Sequence, residues 1–353
     1  MSKLNRLRQK LEENQLDAIV IASPANRRYI SGFTGTSGAA VVSQNDARFI
    51  TDFRYIDQAK EQIAHFTVVK HTQSMNEEIN DQLKQMNVGR VGFEKDHASY
   101  SEYEQYKKIF TAELVPVSGL VEDLRRIKSD DELTILKQAA KIADDAFVHI
   151  QDYIKPGVKE IDISNELEFF MRQQGATSSS FDIIVASGYR AALPHGVASD
   201  KTIQNGELVT MDYGALLNGY CSDTTRTVAV GEISSELKQI YNTVLEAQKR
   251  GVKGLKPGIT GKEADAIARD YINEQGYGDY FGHSTGHGVG MDVHESPSLS
   301  SRSDMKLEPG MVVTVEPGIY IPNTGGCRIE DDIVITETGH ERLTNAEKEL
   351  VQL

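Results

Sequence analysis

Cysteine is scarce in this chain of 353 residues, which contains only Cys221 and Cys327. Two cysteines do not form the spaced framework of a disulfide-rich secreted protein, and each lies inside one of the two turn-containing segments described below. We therefore predict a reducing, cytoplasmic compartment and a small buried thiol at both positions, with no disulfide between them.

Long apolar runs are also missing. No stretch of the sequence stays apolar over the roughly 20 residues that a membrane-spanning helix needs. The first residues, MSKLNRLRQKLEENQ, form the charged amphipathic pattern of a helix and not that of a secretory signal. The sequence therefore predicts a protein without a membrane partner.

Basic residues are few relative to acidic ones, with 38 Lys and Arg against 52 Asp and Glu and a formal net charge of −14. Nucleic-acid binding depends on clustered Lys and Arg side chains, so nucleic acid is excluded as an expected partner. An acidic surface instead favours solubility and some affinity for divalent cations.

Two aspartates lie on either side of an Asn218-Gly219 turn in the segment LVTMDYGALLNGYCSDTTRTVAVG. This dipeptide favours a type I′ hairpin, and counting outward from it places Asp212 opposite Thr225. Asp212 and Asp223 then lie on one face as diagonal neighbours, about 7–8 Å apart at the backbone. Two such carboxylates repel each other unless a cation lies between them, although solvated aspartates on an edge hairpin are the alternative interpretation.

A second segment, VVTVEPGIYIPNTGGCRIEDDIVIT, repeats this arrangement with glutamates. Glu316 and Glu330 flank a turn centred on residue 323, so a symmetric hairpin places them opposite each other on one face. Between the two hairpins, GHSTGHGVGMDVHESP contributes His283, His287 and His294. Four paired carboxylates and a histidine cluster predict a two-metal centre.

The order of predicted elements divides the chain. Residues 1–125 predict an α/β domain in which short apolar strands alternate with helices, without a nucleotide fingerprint, and we interpret it as structural or oligomerising. The charged segment VEDLRRIKSDDE ends in a capping box, Ser129 with Glu132, which opens a long helix. In the second domain, residues 126–353, two helices precede each hairpin, which predicts an internal two-fold repeat with the paired acids on one sheet backed by helices.

Four motifs, MDYGALLNGYCSDTTRT, FGHSTGHGVGMDVHESP, VTVEPGIY and GCRIEDD, resemble in content and order those of the pita-bread metallopeptidases. This fold is shared by methionine aminopeptidase, aminopeptidase P, prolidase and creatinase. Because the first 125 residues resemble the N-terminal domain of the creatinase, prolidase and aminopeptidase P branch, the resemblance covers both domains. It implies an α+β chain, with a creatinase-like α/β domain at residues 1–125 and a pita-bread catalytic domain with a pseudo-two-fold repeat at residues 126–353.

The resemblance implies five metal ligands, namely Asp212, Asp223, His287, Glu316 and Glu330. Asp212 would bind one ion, His287 and Glu316 would bind the other, and the remaining two carboxylates would bridge both. A hydroxide bridging the two ions would be the nucleophile. A set this rich in oxygen suits Mn²⁺, with Co²⁺ or Zn²⁺ as alternatives.

The same resemblance assigns roles to other side chains. His294 would hydrogen-bond the scissile carbonyl oxygen, His195 would stabilise the intermediate or assist the leaving nitrogen, and Glu316 would also relay a proton. His283 would line the substrate pocket, and Arg328 would fix a carboxylate of the centre or bind a substrate group. A satisfied core histidine and a plain ion pair are the respective alternatives for these last two residues.

The implied activity is that of a metallo-exopeptidase specific for proline, which cleaves between an N-terminal residue and a following proline. Both an Xaa-Pro dipeptidase (prolidase) and an Xaa-Pro aminopeptidase (aminopeptidase P) fit, and the family suggests a homodimer. A creatinase-like hydrolase of a non-peptide C–N bond would not need the five ligands, and a non-catalytic binding protein on this fold would typically lose some. The presence of the complete set disfavours both alternatives.

Overall fold

The computed structural model describes residues 2–353, which form two compact units, one ending at Arg125 and one comprising Arg126–Leu353. The first unit is built on a six-stranded mixed sheet in the order β4-β3-β2-β1-β5-β6. Its strands are β1 (Ala18–Ile21), β2 (Ala39–Ser43), β3 (Ala47–Thr51), β4 (Thr67–Lys70), β5 (Arg90–Glu94) and β6 (Glu113–Val117). Its helices are α1 (Lys3–Glu13), α2 (Pro24–Ser31), α3 (Ile56–Gln62), α4 (Met75–Gln85) and α5 (Tyr100–Ile109), and α6 (Glu122–Arg126) ends one residue beyond the unit's boundary.

Serine caps and apolar strands explain these elements. Helices α4 and α5 both begin with a capping box, in which the serine hydroxyl and a glutamate three residues later satisfy exposed backbone N–H groups. Strand β2 is buried along its whole length, as expected for a central strand of a sheet covered by helices. The predicted α/β character of the first 125 residues is thus confirmed.

The second unit holds the repeated hairpins between pairs of helices. Its helices are α7 (Asp130–Ile150), α8 (Glu160–Gln173), α9 (Ser235–Gly254) and α10 (Gly261–Glu274), with short 3₁₀ helices at Gly188–Ala192 and Gly278–Tyr280. The strands between α8 and α9 are β7 (Ser178–Ser179), β8 (Ile184–Ser187), β9 (Glu207–Tyr213), β10 (Ala215–Leu217), β11 (Tyr220–Cys221) and β12 (Thr224–Val230). The strands after α10 are β13 (Gly286–Gly288), β14 (Glu295–Leu299), β15 (Val312–Val315), β16 (Gly318–Ile321), β17 (Gly325–Arg328), β18 (Asp331–Ile335) and β19 (His340–Arg342).

The long helix α7 begins where the capping box predicts it. Ser129 Oγ accepts from the backbone N–H of Glu132 at 3.4 Å, and the glutamate carboxylate accepts from the N–H of Ser129 at 2.9 Å. The apolar face of this helix packs on a core formed by α8 and the strands that carry the aspartates. This packing supports the site strands from behind.

Both hairpins are interrupted where their acidic residues stand. The chain switches from β9 to β10 at Gly214, where a Cβ atom would lie 1.8 Å from the carbonyl oxygen of Ser222. In the second hairpin, the partners Val315 and Asp331 and the partners Gly318 and Arg328 belong to separate ladders. At these interruptions the backbone leaves the regular ladder, which can change the direction of the side chains there.

The prediction of one sheet for all four acids is therefore wrong in detail. Asp212 belongs to a three-stranded sheet, β12-β9-β8, whereas the glutamates adjoin a five-stranded sheet, β14-β13-β15-β18-β19. Hydrogen bonds join the two sheets. In one of them, the backbone N–H of Glu330 donates to the carbonyl oxygen of Thr225 at 3.1 Å. The interruptions at the acids end each ladder before it can extend across both hairpins.

Cys221 and Cys327 are both buried and unpaired, as predicted. Between residues 2 and 353, no helix combines the length and apolar character that crossing a bilayer requires.

Candidate metal centre

A cavity of about 510 Å³ in the second unit brings the predicted site residues together. Its wall includes every side chain that the sequence analysis assigned to catalysis, substrate or metal: His195, Asp212, Asp223, His283, His287, His294, Glu316, Arg328 and Glu330. Residues separated by up to 135 positions in the chain thus share one site, as a two-metal centre would need.

The first hairpin has the predicted register. Asn218 and Gly219 have φ values of 50° and 83°, which a type I′ turn requires, and Asp212 pairs with Thr225. Asp223 lies just before β12, and its backbone N–H donates to the carboxylate of Asp332 at 2.9 Å. Strand pairing therefore fixes the position of Asp212, and the buried carboxylate of Asp332 holds the backbone of Asp223.

The two glutamates of the second hairpin are each held by a threonine hydroxyl. Thr225 Oγ1 donates to Glu330 Oε2 at 2.6 Å, and Thr314 Oγ1 donates to Glu316 Oε1 at 3.2 Å. Each bond restricts one carboxylate oxygen and leaves the other available to the cavity. Thr314 also accepts from the backbone N–H of His287 at 3.1 Å, which couples the histidine to the same strand.

His287 presents a lone pair to the acids. Its Nδ1 lies 3.1 Å from the carbonyl oxygen of Gly288, which can only accept, so Nδ1 carries the proton. Nε2 then faces Glu316 Oε1 at 3.3 Å and Asp223 Oδ2 at 3.7 Å. Burial lowers the pKa of His287 to about 4, which keeps the ring neutral, as a metal ligand must be.

Three of the carboxylates at the cavity have raised pKa values. Burial, and then the neighbouring carboxylates, raise the pKa values of Asp223 and Glu330 well above their ordinary values. Burial, followed by the charge of Asp212, raises the pKa of Glu316 to about 8. Acidic side chains shifted in this direction are held in a place that favours a compensating positive charge.

The donor atoms fit divalent metal ions. One ligand atom each from Asp223, His287 and Glu330 lies within 4.8 Å of the others, a spacing compatible with a shared cation. Asp212 Oδ1 is buried and has no hydrogen-bond partner among residues 2–353, which is costly unless a cation occupies its lone pair. The oxygen-rich set also suits a hard or borderline ion.

Metal removal should make stability sensitive to alkaline pH. Glu316 has its pKa raised from an ordinary 4.5 to about 8, so the folded metal-free protein loses stability as pH rises from about 4.5 to about 8, because only the unfolded chain ionises freely there. Metal ions at about 100-fold above their Kd should raise the melting temperature by about 5–10 °C at pH 8. Calorimetry with and without metal at pH 5 and pH 8 measures this gap. A gap that is equal at both values, or larger at pH 5, contradicts the prediction.

Arg328 is bonded to the protein at all three guanidinium nitrogens. Nη2 bonds to Asp212 Oδ2, Nε donates to Thr225 Oγ1 at 3.0 Å, and Nη1 donates to the carbonyl oxygen of Pro194 at 3.0 Å and to Tyr320 at 2.9 Å. Of the two roles that the sequence left open, these contacts favour fixing a carboxylate of the centre over binding substrate.

His283 also has both ring nitrogens occupied. Nδ1 donates to the carbonyl oxygen of Ser284 at 2.8 Å, so Nε2 accepts from the hydroxyl of Tyr320 at 2.8 Å. Burial, followed by the charge of Arg328, lowers the pKa of His283 to about 4. The His283 ring is therefore neutral, and neither of its nitrogens is free to bond a substrate. In its predicted role it would contact the substrate through the face of the ring.

His195 and His294 are exposed at the cavity. The ring of His294 contacts that of His287 at a centroid distance of 4.4 Å, and within residues 2–353 neither exposed histidine forms a hydrogen bond through its ring nitrogens. Both therefore keep polar atoms available for a ligand in the cavity.

The sequence analysis did not predict the buried charged residues that lie next to the proposed metal ligands. Asp331 pairs with Arg226 at 2.8 Å and with Lys348 at 2.6 Å, and Asp332 holds the backbone of Asp223. The sequence signal that could have revealed these residues is the run of acids after Glu330. Adjacent carboxylates are rare in a buried strand unless basic side chains or backbone N–H groups bond to them.

Comparison with known proteins agrees with this geometry. Residues 134–337 match the model of metallopeptidase family M24, and residues 3–127 match that of the creatinase/prolidase N-terminal domain. The solved Xaa-Pro dipeptidase from Bacillus anthracis is 58% identical, with a TM-score of 0.98 and 99% of each chain covered.

Other relatives align over similar lengths. The Xaa-Pro dipeptidase of Pyrococcus furiosus is 44% identical over 352 residues, 99% of each chain. The X-Pro aminopeptidase structure from Thermotoga maritima MSB8 is 38% identical, with a TM-score of 0.93 and full coverage of both chains. These matches confirm the predicted creatinase and prolidase branch and its fold, and they imply that the site binds divalent metal. The chain belongs to metallopeptidase family M24.

Proposed function

We propose that this chain hydrolyses the peptide bond between an N-terminal residue and a following proline, using two divalent metal ions. The convergence of five metal-ligand side chains on one cavity carries this proposal. The relatives support the substrate class, because those named above are an Xaa-Pro dipeptidase or an X-Pro aminopeptidase.

Five residues would hold the ions: Asp212, Asp223, His287, Glu316 and Glu330. When bound, two divalent cations lower the pKa of water and so supply a nucleophile at neutral pH. Mn²⁺ is the ion we expect, since four carboxylates and one imidazole form a mainly hard donor set. Arg328 would keep Asp212 in place by bonding to Oδ2, while Oδ1, which has no hydrogen-bond partner among residues 2–353, would be free to bind an ion.

The exposed histidines would act on the peptide. His294, in contact with the ring of His287, would donate a hydrogen bond to the scissile carbonyl oxygen as negative charge develops there. The nitrogen of proline carries no proton in the peptide bond and must gain one to leave. His195, which also lines the cavity, would supply that proton.

Glu316 would also carry a proton. Its Oε1 receives the hydroxyl of Thr314 at 3.2 Å, whereas Oε2 forms no hydrogen bond within residues 2–353. A proton released at the nucleophile would therefore be held at Oε2 and would then replace the one that His195 gives to the leaving nitrogen.

The proline ring needs an apolar surface, and the cavity has one. Phe181, Ile184, Val197 and Val293 line it beside the polar groups. Homodimer formation, which the family resemblance suggests, and a cytoplasmic location, which the sequence predicts, remain predictions.

We expect the dipeptide to be the better substrate, because the relative at 58% identity is an Xaa-Pro dipeptidase whereas the aminopeptidase is 38% identical. Protein stripped of metal and reloaded with Mn²⁺ should hydrolyse Ala-Pro with a higher kcat/KM than Ala-Pro-Ala. Liquid chromatography of the released alanine measures both rates, with Ala-Ala and Ala-Ala-Ala as controls. Preference for the tripeptide would make the enzyme an aminopeptidase P, and equal cleavage of the controls would contradict proline specificity.

A further inference from the structure

One carboxylate of the cavity wall is unused by the mechanism above. Asp182 lines the cavity and is exposed, whereas Asp223 and Glu330 are buried and Asp212 and Glu316 are partly covered. Among residues 2–353, no hydrogen bond or ion pair engages the Asp182 side chain. A cationic ligand group could therefore bond to this carboxylate without breaking a protein contact.

Asp182 lies two residues before a strand position that pairs with Asp212. Asp182 lies in an irregular segment between β7 and β8, after Ser180, whose N–H donates to the carbonyl oxygen of Gly214 at 2.8 Å. Ile183 packs into the hydrophobic core, and Ile184, two residues beyond Asp182, lines the cavity. Residues two apart on extended chain share a face and are about 7 Å apart. Ile184 pairs with Asp212, so Asp182 stands about one such step from a metal-ligand strand.

The other carboxylates are not available to a second cation. Asp212 Oδ2 is bonded to Arg328, and its buried Oδ1 is assigned above to a metal ion. Glu330 and Glu316 each receive a threonine hydroxyl and face the same centre. A cationic part of the substrate would therefore meet Asp182 first.

We propose that Asp182 binds the α-ammonium group of the substrate and so selects peptides with a free amino end. This inference rests on the proposed exopeptidase function. The α-nitrogen is separated from the scissile carbonyl carbon by a single carbon atom. A substrate whose carbonyl oxygen is bonded to His294 would therefore carry its ammonium group within the same cavity, whose wall includes Asp182. A charge-assisted bond there discriminates against peptides whose amino end is blocked or absent.

The test pairs a change in the enzyme with a change in the substrate. Propionyl-proline differs from Ala-Pro by the loss of the amino group alone. Asp182→Asn should lower kcat/KM for Ala-Pro by about 10-fold to 100-fold, the range for a hydrogen bond to a charged group, and should change that for propionyl-proline less than about threefold. Asp182→Glu, which keeps the charge, should lose less than the Asn variant. Asp152→Asn, an exposed aspartate outside the cavity, is the matched control and should leave both values unchanged.

Product inhibition gives a second measurement if propionyl-proline is cleaved too slowly. Inhibition by leucine should weaken about 10-fold or more in Asp182→Asn, whereas inhibition by 4-methylpentanoate, its analogue without the amine, should not change. Equal effects on the members of each pair, or none, would overturn the role of Asp182. Failure of metal-loaded wild-type protein to cleave any Xaa-Pro peptide would instead overturn the proposed function.

Discussion

Replacement of Asp223 by alanine should abolish hydrolysis of Xaa-Pro peptides and lower the content of bound divalent metal at the same time. Asp223 lies within 4.8 Å, atom to atom, of donor groups from His287 and Glu330, and we propose that it bridges both ions. Residues that merely support a metal ligand already cost about 10-fold to 100-fold when removed, so a bridging ligand should cost more than about 10³-fold in kcat. Metal analysis of the purified variant, together with turnover under Mn²⁺, measures both effects.

The metal-free protein supplies the control for folding. Because burial and neighbouring carboxylates raise the pKa of Asp223 well above its usual range, its removal relieves repulsion. Metal-free Asp223→Ala should therefore melt at a temperature equal to or above that of metal-free wild type at pH 8. Asp304→Ala, at an exposed position, should keep both metal and activity. Wild-type turnover in the Asp223 variant would refute the dinuclear assignment.

Replacement of His294 by alanine should separate catalysis from metal binding. The side chain is exposed and contacts the ring of His287, and we assign it to the substrate carbonyl and not to a metal ion. Loss of a proton-transfer or electrostatic group of this kind lowers kcat by about 10²–10⁴-fold. Bound metal should remain at the wild-type level, as measured by elemental analysis.

An exposed histidine outside the catalytic unit provides the comparison. His65→Ala, in the first unit, should leave kcat and metal content unchanged. If His294→Ala instead loses metal in proportion to activity, His294 is a ligand and its assignment to substrate is wrong.

Local chemistry in the sequence determined much of the fold and of the candidate site. The Asn218-Gly219 dipeptide set the register that pairs Asp212 with Thr225, since positive φ at both turn positions is compatible with little else. Counting from residue 323 likewise matches the observed partners on both sides of the glutamates, such as Val315 with Asp331. Alternation of side chains along a strand then fixes which residues share a face.

Contacts between distant segments depend on how the two sheets pack. Arg328 reaches Asp212 across 116 positions, and Asp332 holds the N–H of Asp223 across 109. No periodicity encodes these pairs, because the pattern of side chains along one hairpin carries no information on where the other hairpin packs. The core behind the strands, together with the polar contacts between the hairpins, brings them to one site.

The sequence by itself therefore determined which residues each hairpin presents and, through its motifs, the family to which the chain belongs. The tertiary structure alone decided that Arg328 is bonded to the protein at every guanidinium nitrogen and that Asp182 faces the cavity with its carboxylate unengaged by residues 2–353. The physical reason is that register follows from local backbone geometry, whereas the neighbours of a charged side chain are set by the long-range packing of the sheets around it.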